Sequence, residues 1–506
     1  MKKFTKIVCS LAAAGAVVFS ALPLTACAKN SGELVLRVSS WEEYIDLGGW
    51  DESEIIELDS GEVIFGENSM VDDFTEWFND SHDYNIRVEY STFGTNEDLY
   101  NRLNLGDTYD LVCPSDYMIM QLMREGRLEK FSDNFRNTDV GTNYYTNNVS
   151  TFITEKFREF DENNEYAAGY MWGTTGIVYN PEAVEVEDVS TWNILKNAKY
   201  SRQVTVKDNV RDSYFPALGI LNAETLLSGE GNPDELLNAT DDETIDAALQ
   251  ILKEIKENVY SFETDSGKAD MITGKVVANY QWSGDAVFIM DEADDDESNP
   301  VELWYSVPDE CTNLWFDGWV MLKAGIGGDA KKQEAAEAFV NFLSRPDNAI
   351  RNMYYIGYTS AIAGETVYDY LNWNYGIEDD GETVAFEYDV SNFFGEGYEP
   401  LTIDSATLEV GKDGEINRGR QLFAQYPPRN ITERSTIMVD FGDRLAAINQ
   451  MWINVRCLDV KDFNPAVVWS VVAVLVAGIA AIILYKFRYR IFYRRPKEEQ
   501  AEKQTI

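Results

Sequence analysis

The sequence predicts an α/β fold followed by a C-terminal transmembrane helix, and three observations carry that expectation. Strand-like and helical patterns alternate from Leu34 to Leu343. The chain has 506 residues, several times a domain of roughly 150, so two or more hydrophobic cores are allowed. No charged residue interrupts Phe463–Tyr485, a stretch long enough to supply the ~20 apolar residues that cross a bilayer.

Leu34–Ser39 and Tyr84–Tyr90 read as strands, separated by the helical pattern Met70–Phe78. A second helix, Asn96–Leu105, leads to the apolar strand Tyr109–Cys113, which ends in Pro114-Ser115-Asp116-Tyr117. Strand and helix in alternation imply a parallel sheet. Tyr166–Asn180 is strand-like and Gly-rich, and Val204–Lys207 is a short strand followed by the helix Ser213–Leu221. Thr244–Glu257 is amphipathic, Val276–Trp282 reads as a buried strand, and Asp329–Leu343 is a helix ended by Arg345-Pro346. Two stretches read as insertions: the acidic Gly48–Asn68, and Thr366–Asn417, which lacks clean periodicity. The acidic run Asp291–Glu297 lacks the spacing of a calcium loop and reads as solvated.

Charge adds the topology. There are 42 Lys plus Arg against 87 Asp plus Glu, a net −45, with 45% hydrophobic and 13% aromatic residues. That is a folded acidic protein, not a disordered tail. Neutralising phosphates takes clustered bases, so a nucleic-acid partner is excluded, as is docking flat on an anionic membrane surface. Residues 1–26 carry +3 (Lys2, Lys3, Lys6) and 486–506 carry +4, which leaves −52 on 27–485. The basic start, the apolar run Ile7–Leu22 and Leu24-Thr25-Ala26-Cys27 read as a secretory signal. The last four residues resemble the bacterial lipoprotein box, in which Cys27 is acylated; ordinary cleavage at the small residues Ala26-Cys27-Ala28 is the alternative. Bases from Lys486 to Arg495 follow the apolar C-terminal stretch on one side only, so the tail is expected in the cytoplasm and the acidic body outside. Cys113, Cys311 and Cys457 are an odd set, and with His82 as the only histidine no zinc spacing exists.

The sequence contains none of the nucleophile-elbow, P-loop, HExxH or dinucleotide signatures, and it supplies no catalytic residue, cofactor or metal motif. What recurs is an aromatic beside an acid or polar residue at predicted strand ends. The instances are Trp41-Glu42-Glu43-Tyr44, Ser115-Asp116-Tyr117, Asp208-Asn209-Val210-Arg211-Asp212, Trp282-Ser283-Gly284-Asp285, Trp315-Phe316-Asp317 and Gly357-Tyr358. Ligands of open α/β sheets bind at the carboxyl ends of strands. Carboxylates pair with ammonium groups, and aromatic faces hold methylenes and add cation–π attraction of about 0.5–2 kcal/mol each. A flexible organic cation suits that chemistry. Rival readings are a binding protein for another small cation or a neutral solute, a surface glycoside hydrolase built on two carboxylates, and a sensory module.

Trp41-Glu42-Glu43-Tyr44-Ile45-Asp46, Tyr109–Tyr117 and Tyr170-Met171-Trp172-Gly173-Thr174-Thr175-Gly176-Ile177 closely resemble the spermidine/putrescine-binding proteins of bacterial ABC transporters. Gln281–Asp285, Trp315-Phe316-Asp317 and the helix Ala335–Pro346 continue the resemblance in order, from about Leu34 to Tyr358 with a weaker tail to about Arg456. It implies a two-lobed periplasmic-binding-protein fold, with a hinge and an interlobe cleft that closes on polyamine, and an ABC permease as partner. The lobes follow from the resemblance, while the two ends follow from the charge and apolar runs read above. Residues 1–26 are a lipoprotein signal peptide and 27–33 a lipid anchor and linker. Lobe one is 34–164 with 318–358, and lobe two is 165–317 with 359–456. The transmembrane helix is 463–485 and the cytoplasmic tail 486–506. The aromatic box falls on Trp41, Tyr44, Tyr117, Trp282, Trp315 and Tyr358. The amine-binding acids fall on Glu43, Asp212 and Asp317, with Ser115 as a polar contact and a further acid at Asp208 or Asn209. A late glutamine of the family falls near Met438, which departs from the pattern, as does the transmembrane tail.

Overall fold

A computed structural model describes residues 33–296, 301–378, 382–412, 414–457, 473–482 and 484–486. The expected signal peptide, Cys27 and the basic tail beyond Lys486 lie outside the described residues. Contacts divide the chain into two compact units at Met451/Trp452.

The first unit holds the sheet. In chain order its strands are β1 (Leu34–Trp41), β2 (Ile56–Glu57), β3 (Val63–Ile64), β4 (Ile86–Phe93), β5 (Leu111–Val112), β6 (Leu128–Glu129) and β7 (Ala167–Tyr179). There follow β8 (Val204–Lys207), β9 (Ser261–Glu263), β10 (Ala278–Trp282), β11 (Trp304–Ser306), β12 (Leu314–Leu322) and β13 (Thr359–Ser360). The last are β14 (Ala385–Tyr388), β15 (Leu401–Asp404), β16 (Leu408–Val410) and β17 (Ile416–Gly419).

Parallel pairing, expected throughout, is confined to the two ends of the sheet. At one end β1 runs parallel to β4 over Leu34↔Ile86 to Trp41↔Phe93, and parallel to β5. At the other, β8 is parallel to β9 and β10. The middle is antiparallel. All 13 residues of β7 are buried, so both faces are covered and no polar alternation marks the strand. Its first half pairs with β12, from Val320↔Ala167 to Leu314↔Thr174, and its second half with β10 and β11. An antiparallel partner needs no crossover helix, and β12 lies far along the chain. Local alternation of strand and helix therefore cannot announce it.

Helix ends follow their caps. Ser69 accepts from the Asp72 amide and opens Met70–Ser81; Thr95 accepts from Asp98 and opens Asn96–Leu105. Asn209 accepts from the Arg211 amide at 2.8 Å, which starts the next helix at Val210 instead of Ser213. Residues Asp291–Asp295, expected in a solvated loop, are the last turn of the helix Ser283–Asp295. Acids are unfavourable at a helix C-terminus, and here Arg420 pairs with Asp294 at 2.6 Å while Gln421 donates to Asp291. Among the described residues no cluster of His, Cys, Asp or Glu is placed to hold a metal ion. Cys113 and Cys311 are buried and are not joined to each other by a disulfide.

Both insertions contain regular elements among the described residues. Thr366–Asn417 contains most of the helix Glu365–Tyr375 and the hairpin β14–β15. It also contributes to the core, with Phe393 stacked on Trp172 at 5.4 Å. Gly48–Asn68 forms the hairpin β2–β3, tied down by buried Asp46. That carboxylate accepts from the Gly48 amide and the Trp50 indole and pairs with Arg351, which also bonds Asp73 and the Asn68 carbonyl, both at 2.6 Å.

In the second unit, 473–482 and 484–486 are helical, with Val474, Leu475, Val476, Ile479 and Ile482 exposed. Among the described residues no helix is long and apolar enough to cross a membrane; the expected span 463–485 lies only partly within them.

Removing Arg351 strands the Asp46 charge in the core. Arg351→Met is expected to cost about 3–5 kcal/mol of stability, read as a lower denaturant midpoint; an unchanged midpoint contradicts the role given to this network.

Candidate functional site

The parallel strands deliver the site residues at their carboxyl ends, as α/β sheets do. β1 ends into Glu43 and Tyr44, β5 into Ser115 and Tyr117, β8 into Asp208, Asn209 and Asp212, and β10 into Ser283 and Asp285. β12 supplies Trp315 and Asp317 from the sheet's middle. The β7–β12 register shifts between Asp317 and Gly318, a bulge that re-aims side chains beside a site. Asp317 also forms an isolated bridge with Ser115.

The first group is built around Asp317, 6% exposed. Tyr44 donates its hydroxyl to Oδ2 at 2.7 Å, while Oδ1 is buried with no hydrogen-bond partner. No lysine or arginine pairs with this carboxylate among the described residues. Burial pushes its pKa up to about 6, against the pull of Ser115 and Tyr44. The Tyr44 ring meets Tyr358 edge-on at 5.1 Å, and Tyr358 meets Trp315 at 5.7 Å. Glycine is required where these rings close. A Cβ on Gly284 would lie 2.3 Å from the Tyr358 ring, and one on Gly173 would lie 2.7 Å from Trp315.

The second group is built around Asp212 in the first turn of Val210–Leu221. The Trp282 indole donates to its Oδ1 at 3.3 Å. Burial pushes this carboxyl up to about 6, and Lys207 and the Trp282 bond oppose that. Tyr117 joins the groups: Asn96 donates to the Tyr117 hydroxyl at 2.7 Å and to Ser115 at 3.1 Å, while the Arg211 guanidinium lies 3.8 Å from the Tyr117 ring centroid. Arg211 is buried and held from its other side by Phe441 and the Val439 carbonyl.

Three expected residues stand outside these groups. Trp41 packs its ring on Phe93 at 4.9 Å. Glu43 is exposed, with backbone φ +51°, a conformation uncommon outside glycine. Asp208 is half-buried, and its amide donates to Glu263 at 2.8 Å. Asn209, the alternative to Asp208, spends its side chain on the helix cap. Met438 is buried next to Arg211 and Phe441.

The structure adds residues that sequence reasoning did not assign. Asp285 accepts from the Tyr358 hydroxyl at 2.8 Å, and Lys207 and Lys268 each lie 3.4 Å from one of its oxygens. Burial alone would push the Asp285 carboxyl up, but Lys268, Lys207 and Tyr358 hold it below the usual range. Its position four residues into the Trp282 motif was the available signal. Lys207, closing an apolar strand, gave none.

Residues 69–366 match the sequence profile of the bacterial extracellular solute-binding proteins. The chain is 31% identical over 275 residues to the spermidine/putrescine-binding periplasmic protein of Escherichia coli, covering 54% of this chain and 70% of that protein. It is 26% identical over 358 residues to a putrescine-binding periplasmic protein of Pseudomonas aeruginosa, covering 69% and 82%. In structure it resembles a spermidine/putrescine ABC transporter substrate-binding protein from Streptococcus pneumoniae, at TM-score 0.51 and 22% identity, covering 83% of this chain and 100% of that one. It also resembles a lipoprotein of Treponema pallidum, at TM-score 0.56 and 18% identity, covering 83% and 99%. These likenesses show the two-lobed α/β fold.

A buried carboxyl raised to about 6 binds more protons folded than unfolded, so its contribution to stability falls as pH rises from about 4 through 6. Asp317→Asn removes that charge. The ligand-free variant is expected to be more stable than the parent by about 1–3 kcal/mol at pH 7.5 and by little at pH 4.5. Thermal unfolding at the two pH values checks this, and a variant no more stable at pH 7.5 contradicts it.

Proposed function

The chain belongs to the bacterial extracellular solute-binding proteins, and from that premise we propose that it is an extracytoplasmic polyamine receptor delivering putrescine or spermidine to an ABC permease. One observation carries the reading: Asp317 is a buried carboxylate with a free oxygen and no cation beside it, walled by Tyr44, Trp315 and Tyr358. A buried charge is costly unless paired. An ammonium group of the ligand supplies the missing partner and leaves its methylenes against the rings. A second ammonium reaches Asp212 beside Trp282.

The rings of the first group touch one another, so the ligand enters when the two lobes part and is enclosed when they close. Lobe one is 34–164 with 318–358 and lobe two 165–317 with 359–456; β12 crosses from lobe two into lobe one between Asp317 and Gly318, and that crossing carries the hinge. The closed lobes present the surface a permease recognises. Ser115, Tyr117, Trp41, Glu43 and Asp208 complete the ligand-facing set, with Glu43 at the rim. The receptor is held at the membrane by acylated Cys27 and by a helix at 463–485, with the basic tail inside. The charge asymmetry of the two ends supports that tether, as does the exposure of Val474, Leu475, Val476, Ile479 and Ile482. The reading assigns binding and no catalysis, and no observation favours the hydrolase.

Asp317→Asn and Trp282→Ala are each expected to weaken putrescine and spermidine binding about tenfold or more by isothermal titration. Both key carboxyls titrate near 6, so affinity of the parent protein is expected to drop about tenfold per carboxylate between pH 7.5 and pH 5. Unchanged affinities in both variants overturn the assignment.

A further inference from the structure

The cleft also contains cations of the protein's own. Lys207, the last residue of β8, has a side chain only 2% exposed. Its Nζ donates to the Thr264 carbonyl at 2.7 Å, lies 3.4 Å from Asp285 Oδ2, and sits 4.0 Å from the Trp282 ring centroid. Carboxylate on one side and aromatic face on the other is the seat an amine ligand would be given. Lys268 occupies the other oxygen, Oδ1, together with the Tyr358 hydroxyl. Asp285 therefore faces two ammoniums and a hydroxyl, which take three of about four acceptor positions on a carboxylate. Asp317 is the opposite case, with no ion pair among the described residues; Asp212 forms none either, although the Lys207 charge partly offsets the burial that raises its carboxyl.

We propose that Lys207 is a specificity-determining residue: it fills one ammonium seat of the cleft, so that the site takes a linear diamine and rejects a triamine. This rests on the polyamine reading and narrows it. A diamine places one ammonium at Asp317 and the other at Asp212. The third charged nitrogen of spermidine would meet two lysines on a carboxylate already neutralised, in a buried site where like charges repel strongly. The Trp282 face that would hold that nitrogen is covered by Lys207.

The test is isothermal titration of the full-length protein in detergent with putrescine, cadaverine and spermidine, repeated on Lys207→Met and Lys207→Gln. The parent protein is expected to bind putrescine about tenfold or more tighter than spermidine. Each variant is expected to close most of that gap by gaining spermidine affinity, with proper folding verified by thermal unfolding. A parent protein that binds spermidine as tightly as putrescine overturns the proposal, whether or not the variants fold. So does a folded variant with an unchanged ratio. If no amine binds the parent protein, the receptor reading itself fails and takes the inference with it, an outcome distinct from binding without discrimination.

Discussion

Seven residues of β12 pair with β7, a strand buried along its whole length, and the two strands run through the middle of the sheet between its parallel ends. Buried antiparallel strands are rigid because every backbone group is paired and both faces are packed. Within that rigid pair the register slips once, beside Asp317. The slip sets a carboxylate where β1, β5, β10 and the turn before β13 all deliver aromatic or polar side chains. A charge on a flexible loop could turn to water. One on this strand cannot, so it keeps an open oxygen and a raised pKa of about 6. In the proposed reading, the cost of burying it is relieved by an ammonium group of the ligand.

The large acidic excess does not explain this. Of 87 acids, most are solvated, and charges on the surface are screened by salt within about 8–10 Å. The buried carboxylates differ from one another by their neighbours. Asp46 is neutralised by Arg351, and Asp285 by Lys207 and Lys268. Asp212 and Asp317 are not neutralised by any ion pair in the described residues. The protein thus sorts its internal acids three ways: Asp46, Asp110 and Asp285 have a built-in cation, Asp116, Asp161, Glu263, Glu310 and Glu337 are held by neutral donors, and Asp212 and Asp317 are the two proposed to receive a ligand. Lys207 is the hinge of that sorting, since it belongs to the protein and yet occupies a ligand-like position.

Much of this was legible in the sequence. The helix Asn96–Leu105 and the strand Val204–Lys207 match their expected bounds, because a Thr cap and a run of buried β-branched residues are local signals. Of the strand-end residues, Tyr44, Trp315, Tyr358 and Asp317 lie in one group and Trp282 and Asp212 in another. Less visible was whatever depends on partners distant in sequence. Antiparallel pairing of β7 with β12 leaves no trace in local periodicity, and neither does the pairing of Arg420 with Asp294 that keeps an acidic run helical. Thr366–Asn417 looked irregular because its aromatics serve a core shared with Trp172, not a face of its own helix. Lys207 escaped for the same reason: nothing in Val-Thr-Val-Lys says that the ammonium turns inward onto Trp282.

A crystal structure of the protein with putrescine bound tests the central claim most directly. The account predicts one ammonium within about 3 Å of Asp317 Oδ1, the methylenes against Tyr44, Trp315 and Tyr358, and Lys207 still seated on Trp282 and Asp285. Putrescine bound elsewhere, or with Asp317 untouched inside a closed cleft, would contradict it.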